Sequence, residues 1–301
     1  MPREATAHLP VLVDEVTFLL RPRRGGWVVD GTVGMGGHAE RMLESARPTA
    51  RLLGLDRDPE ALARARQRLA RFGDRVVLTH GSFRHLGRHA ADAGVTEAAA
   101  ILLDLGLSSY QLGAAARGFS FQGDDPLDMR FDPTQGFTAA DLLGSLPQEE
   151  LARVLFEYGG EPHARRIARR IVEARDRAPL RTTADLVAVV KRGVPRAAWS
   201  RRTHVATRTF QALRMAVNEE VAALAEALPQ AAALLAQGGR LGVVSFHSGE
   251  DRVVKRHFRS LERTGFAELE PSPIEPGPDE VRDNPRARSA KLRVLERLEA
   301  A

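Results

Sequence analysis

Two acidic residues each end a short apolar run that predicts a buried strand. These residues are Asp56 and Asp104. Because the carboxyl ends of parallel strands meet at one edge of a sheet, both side chains are expected to line the same crevice. Asp56 stands about twenty residues beyond a glycine-rich loop, the spacing at which a carboxylate accepts hydrogen bonds from both hydroxyls of a ribose. The pattern predicts a nucleoside site.

The glycine-rich loop lies between a predicted strand and a predicted helix at 39–46. Gly34, Gly36 and Gly37 permit a tight turn and let a ligand approach bare backbone at the N-terminus of that helix. Gly34, Gly36 and Ala39 also match the relaxed dinucleotide fingerprint. The loop alone therefore does not separate nicotinamide binding from adenosylmethionine binding, and a glycine turn without a ligand is the third alternative.

The residues that could act on a substrate stand at the ends of predicted strands. An exocyclic amine of a nucleobase is a poor nucleophile, so an enzyme must orient it and accept the hydrogen bonds of its protons. Asp104 is the candidate acceptor, with a turn-capping carboxylate as the alternative. His247 either contacts the base, relays a proton or has a structural role. Phe83 either stacks on an adenine or belongs to the core.

Composition excludes several kinds of chemistry. The chain has no cysteine, so disulfides, Cys-ligated zinc and thiol nucleophiles are excluded. Neither a His-Glu-x-x-His zinc motif nor a Gly-x-Ser-x-Gly elbow occurs, so no catalytic metal and no serine hydrolase are predicted. The N-terminal residues match neither a signal peptide nor a membrane span. We therefore expect a cytoplasmic protein that does not contact a membrane.

The formal net charge of +5 favours a polyanionic partner. The basic residues are arginines except for Lys191, Lys255 and Lys291. Genome composition or adaptation to heat explains this arginine bias as readily as RNA binding does.

Short predicted strands alternate with helical segments along the chain. The strands are expected at 27–33, 51–56, 75–80, 99–105 and 240–246, with a helix at 57–72. This order predicts an α/β fold with a doubly wound, Rossmann-like parallel sheet. After a helix at 250–263, the segments 266–269 and 291–298 are expected to form a terminal antiparallel hairpin at the sheet edge.

A long, basic and mostly helical segment separates the fourth predicted strand from the fifth. We therefore predict a discontinuous sheet domain, residues 1–110 and 212–301, with an inserted helical domain at 111–211. Within the insertion, the helical period of 164–177 places four arginines on one face: Arg165, Arg166, Arg169 and Arg170. That face is either simply solvated or binds phosphates, in which case Arg201, Arg202 and Arg208 extend it.

The chain contains a series of unusual short sequence motifs in a fixed order. They are Gly34-Met35-Gly36-Gly37-His38, Asp56-Arg57-Asp58-Pro59, Leu103-Asp104-Leu105-Gly106-Leu107-Ser108-Ser109, Arg117-Gly118-Phe119-Ser120-Phe121, Pro126-Leu127-Asp128-Met129-Arg130, Ala206-Thr207-Arg208-Thr209-Phe210-Gln211-Ala212-Leu213-Arg214, Ser245-Phe246-His247-Ser248 and Asn284-Pro285-Arg286-Ala287-Arg288-Ser289. Over nearly its whole length the chain resembles the RsmH (MraW) family, bacterial methyltransferases that methylate N4 of cytosine 1402 in 16S ribosomal RNA.

The resemblance implies a class I adenosylmethionine-dependent methyltransferase fold with a helical insertion that recognises the substrate. It implies S-adenosylmethionine as methyl donor and 16S RNA of the small ribosomal subunit as partner, and it leaves a homodimer open. Adenosylmethionine binding carries over to Gly36, Gly37, His38, Asp56, Phe83, Asp104 and Gln111. The sequence departs from the family pattern at Tyr110, Gly113, Asp125, Phe131, Val205 and Gly249.

Two other functions compete with this interpretation. A nicotinamide-dependent oxidoreductase would use Gly34, Gly36, Ala39 and Asp56 but leaves the motifs after Asp104 unexplained. A non-catalytic RNA-binding or assembly factor would keep the arginine surface and assign no chemistry to the crevice.

Overall fold

The computed structural model describes residues 10–22, 25–107, 111, 117–121, 123–200 and 203–299. The chain folds into two compact units, Met1–Gly106 with Val221–Ala301, and Leu107–Glu220. This division differs from the sequence-based boundary at 212. That position lies within a helix, Thr207–Val217, whose Phe210 and Leu213 are buried in the core of the second unit.

The first unit is built on a seven-stranded sheet with the order β3-β2-β1-β4-β5-β7-β6. Its strands are β1 (Trp27–Asp30), β2 (Arg51–Asp56), β3 (Val76–His80), β4 (Ala98–Asp104), β5 (Leu235–Ser245), β6 (Phe266–Glu268) and β7 (Lys291–Arg297). The first five strands are parallel, and β7 runs antiparallel to both β5 and β6. The predicted α/β sheet with a terminal antiparallel hairpin is confirmed.

β5 begins at Leu235, five residues before the sequence predicted. Its pairing with β4 shifts register between Ala98 and Ala100, opposite a glycine pair. Gly238 has a φ of +66°, and a Cβ on Gly239 would lie 2.8 Å from the carbonyl oxygen of Ala98. The close approach of two backbones requires glycine here. Because glycine is uncommon in strands, the sequence pattern did not indicate that β5 begins before these residues.

The helices follow in chain order. They are α1 (Val13–Leu20), α2 (Gly37–Ser45), α3 (Pro59–Leu69), α4 (Leu86–Asp92), α5 (Ala139–Ser145), α6 (Gln148–Glu157), α7 (Ala164–Arg175), α8 (Thr183–Gly193), α9 (Thr207–Val217), α10 (Glu220–Leu234), α11 (Ser248–Leu261) and α12 (Pro278–Asp283). Asp58 caps α3 by accepting the N–H of Glu60 at 3.0 Å, with Pro59 in the first turn.

Each face of the sheet packs on its own hydrophobic cluster, because alternate side chains of a strand point to opposite faces. Val28 belongs to the cluster that contains Met42 of α2, whereas Val29 belongs to the cluster that contains Phe258 of α11. Burial on both faces explains why these strands read as continuous apolar runs.

The second unit has a separate helical core. Leu155 of α6, Ile167 of α7 and Val190 of α8 are fully buried in it. Asn218 fixes a loop to this core: its Nδ2 donates to the carbonyl of Met129, and its Oδ1 accepts the N–H of Phe131, both at 2.7 Å. Among the described residues, no helix is both long and apolar enough to cross a membrane.

Candidate functional site

Three carboxylates end neighbouring parallel strands at one edge of the sheet. Asp30 ends β1, Asp56 ends β2 and Asp104 ends β4. β1 lies between β2 and β4, where the direction of strand order reverses, and such a switch point opens a crevice for ligands. The sequence predicted Asp56 and Asp104 as site residues but missed Asp30. The same signal, an acidic residue at the end of a buried run, would have found it.

The glycine-rich loop connects β1 to α2, and each of its three predicted glycines is required for its own physical reason. Gly34 has a φ of +52°, and its N–H donates to Oδ2 of Asp56 at 2.8 Å. Gly36 has a φ of +84°. A Cβ on Gly37 would lie 2.6 Å from Cγ of Pro10, so the N-terminal segment packs directly on this residue. Two of the predicted glycines are thus required by backbone conformation and the third by packing.

Backbone donors hold the Asp56 carboxylate in place. Oδ2 accepts the N–H of Gly34, and Oδ1 accepts the N–H of Asp58, both at 2.8 Å. Burial raises the pKa of Asp56 to about 6, and the two backbone hydrogen bonds oppose that shift. A carboxylate has about four acceptor positions, so each oxygen retains capacity for a further donor.

A buried histidine lies between two of the strand-end carboxylates. Nε2 of His38 is 3.4 Å from Oδ2 of Asp104, and the His38 ring is buried. Burial lowers the pKa of His38, but the charges of Asp104 and Asp30 outweigh it and raise that pKa above its usual value. Burial raises the pKa of Asp30 to about 7, although His38 opposes the shift.

The same three side chains carry buried polar atoms that lack a hydrogen-bond partner within the described part of the chain. These atoms are Oδ2 of Asp30, Nδ1 of His38 and Oδ1 of Asp104, while Nε2 of His38 has only its 3.4 Å contact with Oδ2 of Asp104. A buried polar atom without a partner costs about 1–3 kcal/mol, and such atoms are uncommon in native proteins. Their concentration at a ligand crevice indicates that a polar ligand completes this site.

Thr32 joins the glycine-rich loop to the end of β4. Its Oγ1 accepts the N–H of Asp104 at 2.6 Å, and its own N–H donates to Oδ1 of Asp30 at 3.1 Å. Thr32 was not predicted as a site residue from the sequence. It fixes the backbone beneath Asp104, so that the carboxylate faces the crevice from a rigid strand end.

Phe83 begins a short 3₁₀ turn after β3 and is partly buried. Its Cβ lies 3.2 Å from the position that a Cβ on Gly31 would take, which places this residue beside the start of the glycine-rich loop. The predicted contact with an adenine stays a prediction, as does the role of Gln111, which is buried in the second unit. Ser108, Ser109 and Tyr110 lie outside the described residues.

His247 begins α11 as its N-cap. Nδ1 accepts the N–H of Glu250 at 3.3 Å, and Nε2 lies 3.3 Å from Oε1 of the same glutamate. Glu250 is buried and also accepts the N–H of Phe246 at 2.9 Å. Nδ1 of His247 therefore caps its own helix, and Nε2 lies close to Glu250 without a hydrogen bond within the described part of the chain. These contacts favour the structural alternative, and the predicted catalytic role stays a prediction.

Comparison with known proteins assigns the chain to a family. The family model described as the MraW methylase family matches residues 5–298. Ribosomal RNA small subunit methyltransferase H of Geobacter sp. (strain M21) is 49% identical over 97% of this chain and 98% of that protein. The protein of the same name from Syntrophotalea carbinolica is 49% identical, with 99% and 100% covered. The Heliobacterium modesticaldum protein of that name is 46% identical, with 97% and 98% covered. The resemblance predicted from the sequence motifs is confirmed, and the chain belongs to the MraW methylase family.

Proposed function

We propose that this chain transfers a methyl group from S-adenosylmethionine to N4 of cytosine 1402 in 16S ribosomal RNA. The observation that carries the proposal is the Asp56 carboxylate, fixed by the N–H groups of Gly34 and Asp58 at a strand end where it can receive a ribose. The relatives that match the full chain are named for methylation of small-subunit ribosomal RNA.

The residues of the crevice fit such a methyl donor. In this proposal, Asp56 accepts the hydrogen bonds of the ribose hydroxyls and Phe83 stacks on the adenine. The unpartnered atoms of Asp30, His38 and Asp104 supply acceptors and donors for a polar, charged ligand. S-adenosylmethionine supplies a methyl group activated by a sulfonium.

Asp104 acts on the nucleophile in this proposal. The lone pair of a cytosine amine is delocalised, so the amine must be held in line with the methyl group before it can attack. Oδ1 of Asp104 accepts a hydrogen bond from that amine and so orients it, while the pairing of Oδ2 with His38 fixes the carboxylate. Methyl transfer makes the nitrogen acidic, so its proton can then pass to Oδ1 of Asp104 and on to solvent, which reduces the demand for a strong base.

The RNA partner is the small ribosomal subunit, and the site of action is therefore the cytoplasm. The helical unit supplies cations that position the backbone, since phosphate contacts orient RNA without reading its sequence. Arg208 lies on α9 in that unit, and Arg201 and Arg202 lie outside the described residues. Discrimination would come from a pocket that accepts an unpaired cytosine.

The test uses small subunits isolated from cells that lack this modification. Wild-type protein with labelled S-adenosylmethionine should introduce one methyl group at cytosine 1402, measured by mass spectrometry of nuclease digests. Asp104→Asn should reduce the rate about 10²-fold or more, because the amide donates where the carboxylate accepted. Asp92→Asn, an exposed aspartate on α4, serves as the matched control.

Two results would reject the proposal. The first is no methyl incorporation into these subunits by folded wild-type protein. The second is a thermal shift with NAD that exceeds the shift with S-adenosylmethionine at equal concentration, which would support the oxidoreductase alternative. Full activity of Asp104→Asn would remove this residue from the mechanism.

A further inference from the structure

The helical unit contains a groove of about 780 Å³ between α6 and the start of α7. Phe156 lines this groove together with Arg153, Arg165, Arg166 and His163, and Glu149 is the one acidic residue among its described lining. The groove lies within the second unit and is distinct from the strand-end crevice.

Phe156 exposes 65% of its surface, although it follows directly on two buried residues of α6, Val154 and Leu155. The core of the helical unit therefore does not use this ring. An exposed aromatic face is a platform on which a nucleobase can stack, and every base has such a face. A single exposed phenylalanine is ordinary on a protein surface, so the residues around Phe156 must show whether it belongs to a binding site.

The arginines of α7 divide into two pairs with different surroundings. Nη1 of Arg170 lies 2.7 Å from Oε2 of Glu173, and Nε of Arg169 lies 3.7 Å from Oε1 of the same residue. Arg165 and Arg166 are exposed, and neither guanidinium has an ion-pair partner within the described part of the chain. The two arginines without internal partners are the ones that line the groove.

The first turn of α7 adds to the positive potential. It contains no acidic residue, and its N-cap residue, His163, makes no side-chain cap hydrogen bond. The N-terminal end of a helix carries partial positive charge, which favours an anion beside Arg165 and Arg166. Arg153 contributes less, because it pairs with Glu150 and Glu157 on its own helix.

We propose that this groove binds a single-stranded segment of the RNA substrate, with a base stacked on Phe156 and phosphates on Arg165 and Arg166. The inference rests on the proposed function for the class of partner. A duplex hides its base faces, so a stacking ring between cations fits a single strand better than a helix. An acidic polypeptide offers carboxylates to the arginines but a stacking group only where it carries an aromatic side chain, whereas every nucleotide offers both a phosphate and a base face.

The test measures binding of the full chain to a labelled, unstructured RNA of about twelve nucleotides by fluorescence anisotropy. Phe156→Ala should weaken binding about ten-fold, whereas Phe156→Trp should retain it. Phe18→Ala is the matched control, because Phe18 is 79% exposed on α1 outside the groove.

A second pair of variants tests the cations. Arg165→Gln with Arg166→Gln should weaken binding and reduce the slope of log K against log salt by about 1.4, the value for two lost phosphate contacts. Arg169→Gln with Arg170→Gln is the control on the same helix, since it removes the same number of charges from arginines that pair with Glu173 and do not line the groove. Circular dichroism confirms that each variant is folded.

The outcomes separate this inference from the proposed function. Unchanged RNA affinity in Phe156→Ala overturns the proposal that RNA binds in the groove, whether or not wild-type protein methylates small subunits. Equal affinity for an oligoglutamate of the same charge, lost with the same arginine variants, also overturns it. Phe156-dependent binding without methylation of small subunits supports the groove and rejects the proposed function instead.

Discussion

Nε2 of His38 lies 3.4 Å from Oδ2 of Asp104, and the pair connects the first turn of α2 with the end of β4. The two residues are far apart in the sequence and meet because β1 and β4 are adjacent in the sheet. Asp30, which ends β1, interacts with the same histidine. One imidazole is therefore shared electrostatically between two carboxylates at the proposed methyl-transfer site.

This arrangement makes the stability of the ligand-free protein depend on pH. Burial raises the pKa of Asp30 from 3.8 to about 7, so the folded state binds a proton that the unfolded state has already released. The associated stability is present below about pH 4 and is lost as the pH rises through about 7. The pKa of His38 is also raised, and its contribution disappears in the same direction as the pH rises.

Asp30→Asn removes the Asp30 part of this dependence and can keep the hydrogen bond from the N–H of Thr32. As the pH is raised from 5 to 8, the free energy of unfolding of the variant minus that of wild type should increase by about 2–3 kcal/mol. Urea unfolding at both pH values measures the difference. A constant difference across this range would contradict the proposed burial of an ionisable Asp30.

Asp56→Asn should affect affinity for the methyl donor more than the rate at saturation. The amide of the variant presents N–H groups where the carboxylate accepts donors, and hydrogen bonds to charged groups contribute about 1.5–3 kcal/mol each. The Kd for S-adenosylhomocysteine, measured by calorimetry, should rise about ten- to a hundred-fold. Asp104→Asn provides the contrast, with a change mainly in rate, and equal effects of both variants on rate alone would contradict the assigned roles.

Gly37→Ala should destabilise the fold through Pro10. The new Cβ would lie 2.6 Å from Cγ of that proline, so the N-terminal segment must move. We expect a loss of about 1–3 kcal/mol, typical of overpacking, measured by thermal unfolding. Pro10→Ala should relieve part of this loss in the double variant, and strict additivity of the two changes would show that the contact is not the cause.

His247→Ala and His247→Asn distinguish a cap from a catalytic group. Asparagine is a good N-cap residue without an imidazole, so His247→Asn should retain the stability that His247→Ala loses, about 1 kcal/mol. From the ring contacts with Glu250, we expect His247→Asn to keep most of the methyl-transfer rate. A large drop in rate at unchanged stability would restore the catalytic role predicted from the sequence.

Much of the fold was readable from local patterns. The parallel strands appear as apolar runs because both sheet faces are covered, and α7 appears as a helix because Ile167 and Ile171 alternate with arginines. The cap at Asp58 depends on residues adjacent to it in the chain. Family membership could also be recognised from short sequence motifs, because each motif is a local feature of the chain.

The sequence also contains a local signal for ion pairs within α7. Glu173 stands four residues after Arg169 and three after Arg170, the spacing at which helix side chains pair. The sequence alone therefore contained the reason why the arginine face of α7 is not uniform. The groove that Arg165 and Arg166 line was not readable, because it depends on how α6 and α7 pack.

By itself, the sequence determined which residues could form strands, caps and an amphipathic helix, since those depend on near neighbours. Only the tertiary structure decided that Asp30 is buried beside His38, that Pro10 covers Gly37 and that both nitrogens of His247 face Glu250. Protonation and burial depend on every group brought near a side chain, and strand pairing brings together residues that no local pattern connects.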